Sequence, residues 1–65
     1  MKPDTQTTDR EVYFEFTALG SAVRVAAIDS ATGIETVIVG PANASAADLE
    51  RLALNKLKAR LAREA

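Results

Sequence analysis

Carboxylates and hydroxyls are the side chains of this 65-residue chain that could do chemistry, because it contains no cysteine and no histidine. This composition leaves no disulfide and no metal site built on thiolate or imidazole ligands. The nearest thing to a catalytic pair is Asp29 with Glu35, which flank a turn. Acid–base catalysis needs such groups to converge, and turn capping by Asp29 with a solvated strand position for Glu35 is the favoured explanation of both residues. We expect no enzyme activity.

Ligand and compartment signals are equally sparse. Gly33 and Gly40 are too far apart for a phosphate-binding loop, so no cofactor and no small-molecule ligand is expected. The net charge of −1 provides no general attraction to nucleic acid or anionic lipid. The chain shows neither a secretory signal nor an apolar stretch long enough to span a bilayer. We therefore expect a cytoplasmic protein that makes no membrane contact.

The elements that must position these side chains begin with two strands. Residues 11–19 alternate with period two, placing Phe14 and Phe16 on one face. The segment 22–28 follows a Gly20-Ser21 turn, so a hairpin would place Phe16 opposite Val25. On the other face the hairpin brings Glu15 diagonal to Arg24, where the two can form an ion pair.

A third strand, from Ile34 to Val39, follows the turn from Asp29 to Gly33. In the register we favour, Val25 faces Ile38, and both isoleucines of the strand lie on the phenylalanine face. A shift of one residue would place Val37 and Val39 there instead. Gly40-Pro41 should end the strand, because proline cannot donate to a ladder.

Ser45, followed by Asp48, resembles a capping box and opens a run of strong helix formers. The chain should therefore form a three-stranded antiparallel meander in the order 1-2-3, with one C-terminal helix on one face, an α+β fold of type βββα. Residues 1–10 are expected to be a disordered tail and residues 11–65 a single domain. The predicted core comprises Phe14, Phe16, Val23, Val25, Ala27, Ile34, Ile38, Leu49, Ala53, Leu57 and Leu61.

The second face of the sheet is predicted to be apolar and uncovered, whereas a solvated sheet face should be largely polar. Such a patch on a small protein often marks a binding site for another protein. The third strand also lacks a lysine, arginine or proline before Pro41 to guard its edge, so edge-to-edge association through this strand is an alternative route to a homodimer. We expect an interaction module that forms a homodimer or binds another protein through Tyr13, Arg24, Ala26, Ile28, Val37 and Val39.

A second hypothesis comes from charge and architecture. The segment from Ser45 carries a net charge of +2, against −3 for the first 44 residues. The βββα order resembles the DNA-binding modules of plant ethylene-response factors and phage integrases, and Asp29-Ser30-Ala31-Thr32-Gly33 is similar to a turn of the latter. The resemblance implies that the sheet enters the major groove and presents arginine and lysine from its strands, where this chain offers Arg24 alone. The second hypothesis is therefore an accessory nucleic-acid-binding protein that uses Arg24 together with the basic residues of the helix, Lys56, Lys58, Arg60 and Arg63.

The chain from Glu11-Val12-Tyr13-Phe14-Glu15-Phe16 to its leucine-rich end also resembles a group of small bacterial proteins of unknown function, some of them solved in structural-genomics work. That resemblance covers nearly everything after the first ten residues. It implies the fold and assigns no catalytic or binding residue.

Overall fold

The computed structural model describes residues 11–64, which form three strands and one helix. The sheet is antiparallel and open, in the order β1-β2-β3, and the helix follows it. The predicted α+β fold is therefore confirmed, while the expected tail at residues 1–10 lies outside the described residues. The elements are β1 Val12–Leu19, β2 Ala22–Asp29, β3 Glu35–Pro41 and α1 Ala46–Glu64.

The first hairpin has the predicted register. Gly20 has a φ of 63°, a left-handed conformation that glycine adopts without a steric penalty. Leu19 lies opposite Ala22, and Phe16 lies opposite Val25. The two-residue turn and the period of two along each strand are thus consistent with each other.

The second hairpin is held by the side chain of Asp29. The backbone N–H and the hydroxyl of Thr32 donate to Asp29 Oδ2 at 3.1 and 2.7 Å. Gly33 has a φ of 77° and donates its N–H to the Asp29 carbonyl at 2.7 Å. Val25 lies opposite Ile38, so the favoured register of β3 is confirmed. Asp29 therefore serves as a turn cap.

Strand β3 runs to Pro41, two residues beyond the predicted end at Val39. The Asp29 N–H donates to the Ile34 carbonyl at 2.9 Å, and the N–H of Ala42 donates to Ser21 at 2.9 Å. In an antiparallel ladder, hydrogen-bonded pairs alternate along the strand. The even-numbered residues of β3 therefore bond to β2, and the nitrogen of Pro41 faces the free edge. The proline costs the sheet no hydrogen bond.

The helix begins at the predicted cap. The Asp48 N–H donates to Ser45 Oγ at 3.3 Å. The Asp48 carboxylate instead lies 3.0 Å from Arg51, one turn further on. Only the serine half of the capping box is therefore realised.

The helix packs on β2 and β3, and the core lies between them. Leu57 and Val25 are fully buried, and Ala27 and Ala53 allow the backbones to approach closely. A Cβ on Gly40 would lie 2.6 Å from a methyl carbon of Leu49, so glycine makes room for the first turns of the helix. The remaining predicted core residues apart from Phe16 are partly buried against this cluster: Phe14, Val23, Ile34, Ile38 and Leu61.

The prediction that Phe16 belongs to the core is wrong, because 44% of its surface is exposed. The side chain points to the helix side of the sheet, opposite Val25. A helix is about 10–12 Å wide and strands are about 4.8 Å apart, so one helix covers two strands. Because α1 lies over β2 and β3, the middle of β1 is left uncovered.

Leu57→Ala should lower the free energy of unfolding by about 3 kcal/mol, since it removes a fully buried side chain and leaves a cavity. Urea denaturation followed by circular dichroism would measure the loss. Leu52→Ala, at an exposed position of the same helix, should cost about 0.5 kcal/mol or less. Equal losses at both positions would contradict the described placement of the helix.

Candidate interaction surface

The sheet face opposite the helix, which we call the open face, is built from four cross-strand rows. Within residues 11–64 no element packs on it, since the helix lies on the other side. In both strand pairs, directly opposite residues point to the same face of the sheet, so each row contains one side chain from each strand. The rows are Tyr13-Ile28-Glu35, Glu15-Ala26-Val37, Thr17-Arg24-Val39 and Leu19-Ala22-Pro41.

Large hydrophobic side chains lie at the margins of the open face. Tyr13, Leu19 and Val39 expose 54%, 48% and 61% of their surfaces. The other two large exposed hydrophobic residues in the described part of the chain lie elsewhere, Phe16 on the helix side of β1 and Leu52 on the helix. The open face therefore carries three of the five large hydrophobic residues that are exposed within residues 11–64.

The side chains at the centre of the open face are less exposed to solvent than the sequence predicted. Ala26 has no exposed surface, and Ile28 and Val37 are half-buried. The guanidinium of Arg24 lies 3.8 Å from Glu35, two rows away, so its side chain crosses the row of Ala26. Arg24 pairs with Glu35 and not with the expected Glu15. Of the six predicted partner-binding residues, Ala26 offers no surface that a partner could reach.

The free edge of β3 is guarded by the helix. The odd-numbered residues of β3 direct their backbone groups outward, and Lys56 Nζ donates to the Val37 carbonyl at 2.7 Å. A lysine over an edge strand discourages pairing with another chain. The prediction that this edge is unguarded is therefore wrong. The sequence signal was available, since Lys56 lies three residues after the buried Ala53, at the border of the buried stripe.

The free edge of β1 has no such guard within residues 11–64. Ser30 donates its N–H to the Glu11 carbonyl at 3.0 Å, which identifies the odd-numbered residues of β1 as those bonded to β2. The even-numbered residues of β1 therefore direct their N–H and C=O groups outward. No hydrogen bond from a described residue occupies them. The sheet thus has one covered edge and one open edge.

The basic residues do not form one surface. Arg24 lies on the open face, whereas Lys56, Lys58, Arg60 and Arg63 belong to the helix on the opposite side. Three of these five are engaged, Arg24 with Glu35, Lys56 with a backbone carbonyl, and Arg60 with Glu64 at 2.9 Å. The structure therefore separates the residues that the second hypothesis would bring together on a nucleic acid.

The two carboxylates that flank the turn do not converge either. Asp29 is buried on the helix side, where it caps the turn, and Glu35 is exposed on the open face. No group of three or more acidic, cysteine or histidine residues in the described part of the chain could hold a metal ion.

Comparison with protein families identifies the chain. Residues 9–64 match the model of a family described as a domain of unknown function, DUF6898. The match covers more than half of the chain, so the protein belongs to this family. Neither the curated proteins nor the solved structures gave a match. No helix within residues 11–64 is long and apolar enough to cross a membrane.

Lys56→Met should lower the free energy of unfolding by about 1 kcal/mol, because it leaves the Val37 carbonyl without its charged donor. Met keeps an apolar stem of similar length, so the packing changes little. The measurement is urea denaturation, with Lys58→Met as the matched control on the exposed side of the same helix. An equal effect of the two substitutions would show that Lys56 does not cover the edge in solution.

Proposed function

We propose that the protein is a non-catalytic interaction module whose open face binds a protein surface, either a second copy of the chain or a different protein. The observation that carries the proposal is the concentration of exposed apolar side chains on this face, above all Val39, Tyr13 and Leu19. Surfaces of this kind on a small domain are typical of binding sites.

The arrangement of polar groups also supports the proposal. The Arg24–Glu35 pair lies near the centre of the open face, and the two side chains expose 39% and 42% of their surfaces. Apolar side chains surround it at the margins, at Tyr13, Leu19 and Val39. A mixture of aromatic, aliphatic and arginine side chains is common in protein interfaces, where arginine supplies directional hydrogen bonds.

Photo-crosslinking would test the proposal. A benzophenone amino acid placed at Val39, which is 61% exposed, should give a discrete product on irradiation in cells that produce the protein. The same group at Leu52, which is 52% exposed on the helix, is the matched control and should give none. If the partner is a different protein, an excess of unlabelled wild-type chain should suppress the product by competing for that partner. If the partner is a second copy, the wild-type chain is itself captured and the product persists.

The mass of the product separates the two kinds of partner, since twice the monomer mass identifies a second copy. Equal labelling from positions 39 and 52, or no product from either, would contradict the proposal. Titration with random duplex DNA provides the test against the other class of function. Binding that weakens steeply with salt would favour nucleic-acid recognition instead.

A further inference from the structure

The open edge of β1 combines free backbone groups with exposed apolar side chains. The N–H and C=O groups of the even-numbered residues face outward, and three of the five exposed large hydrophobic residues belong to this strand, Tyr13, Phe16 and Leu19. An edge strand of this kind is a template for pairing with another strand. The edge of β3 differs, because Lys56 covers it.

We propose that β1 pairs antiparallel with β1 of a second copy, joining the two sheets into one six-stranded sheet with both helices on the same side. The edge of β1 shares Tyr13 and Leu19 with the open face, but the pairing runs through backbone groups that the open face does not use, so the inference goes beyond the proposed function. The occupant is a second copy because the strand is complementary to itself in one particular register.

The outward-facing backbone groups of β1 belong to its even-numbered residues, so the hydrogen-bonded pairs between two copies must join even-numbered residues. Twofold axes at Phe14, Glu15 and Phe16 all satisfy this condition. An axis at Glu15 would place two like charges directly opposite each other, which is destabilising. An axis at Phe14 would leave Leu19 beyond the paired region. An axis at Phe16 avoids both problems and extends the pairing from Tyr13 to Leu19.

With the axis at Phe16, each exposed apolar residue of the strand gains an apolar neighbour. Phe16 lies opposite its own copy, and aromatic pairs across strands are stabilising beyond the area that they bury. On the other side of the sheet, Tyr13 lies opposite Leu19 of the second copy. The pairing thus covers the three large hydrophobic side chains that β1 exposes, Phe16 on the helix side and Tyr13 and Leu19 on the open face.

The same register is favourable in charge. Glu15 of one copy lies opposite Thr17 of the other, and Thr17 is itself the β1 partner of Arg24. Arg24 and the second copy's Glu15 therefore lie on either side of a threonine in one row. By symmetry the arrangement occurs twice, so opposite charges share a row on both sides of the axis.

Disulfide trapping tests both the pairing and its register, since the chain has no cysteine of its own. Glu15 and Thr17 of the second copy would form a non-hydrogen-bonded pair with Cα atoms about 4.5 Å apart, within the range of a disulfide. An equimolar mixture of Glu15→Cys and Thr17→Cys chains should form a covalent dimer under mild oxidation. Neither variant alone should do so at a comparable rate.

Self-crosslinking of Glu15→Cys alone would show the register centred on Glu15 and overturn the proposed one. A mixture that crosslinks no faster than Asn55→Cys, an exposed helix position, would overturn the pairing itself. The three substituted positions, Glu15, Thr17 and Asn55, are all exposed, so the variants keep the core intact.

Sedimentation provides an independent measurement. Phe16→Glu should raise the dimer dissociation constant at least about tenfold, because it places two carboxylates opposite each other at the axis. Leu52→Glu, at a similarly exposed apolar position, should leave the constant unchanged. A wild-type chain that stays monomeric across a roughly hundredfold range of concentration would overturn the inference.

The two surfaces can be separated by the same method. Val39→Glu changes the open face at β3, two strands away from β1, and should leave the β1 dimer intact. If Val39→Glu removes the dimer and Phe16→Glu does not, the association runs through the open face and the edge pairing is wrong. Failure of edge pairing leaves the crosslinking test at position 39 unaffected.

Discussion

The width of a single helix relative to a three-stranded sheet is the constraint on which the rest of this structure depends. One helix can cover about two strands, and here it covers β2 and β3. The contact is close because alanines lie on both sides of it, Ala27 in the sheet and Ala53 in the helix. Close contact between small residues buries little area per residue, so the core is compact and depends on a few leucines and valines such as Leu57 and Val25.

The lateral position of the helix also makes the two sheet edges unlike. Over β3 it brings Lys56 within hydrogen-bonding distance of the Val37 carbonyl, and the nitrogen of Pro41 already faces outward there. Over β1 it provides less cover, since Phe14 is partly buried against the core while Phe16 remains 44% exposed on the helix side. The position of the helix over β2 and β3 thus explains why the edge of β3 is covered, why the edge of β1 is not covered by residues 11–64, and why Phe16 is exposed.

Several polar side chains in the described part of the chain stabilise the fold. Asp29 holds the second turn through Thr32, and the Thr36 hydroxyl donates to the Ala53 carbonyl at 3.4 Å, joining strand and helix. Arg24 and Glu35 bridge across the open face. In these contacts the carboxylates and hydroxyls serve the fold. The family to which the chain belongs has no known function.

Both hairpin registers and the buried stripe of the helix were predicted from the sequence, although the second register was chosen over an alternative shifted by one residue. Alternation with period two, glycines at the left-handed positions Gly20 and Gly33, and the cap at Ser45 are local constraints, legible along the chain. Three features depend on the tertiary packing: Phe16 is exposed, Lys56 bonds to the edge of β3, and Arg24 pairs with Glu35. These depend on where the helix lies across the sheet and on how far long side chains reach, and hydrophobic periodicity reports which face is buried without reporting which strands are covered.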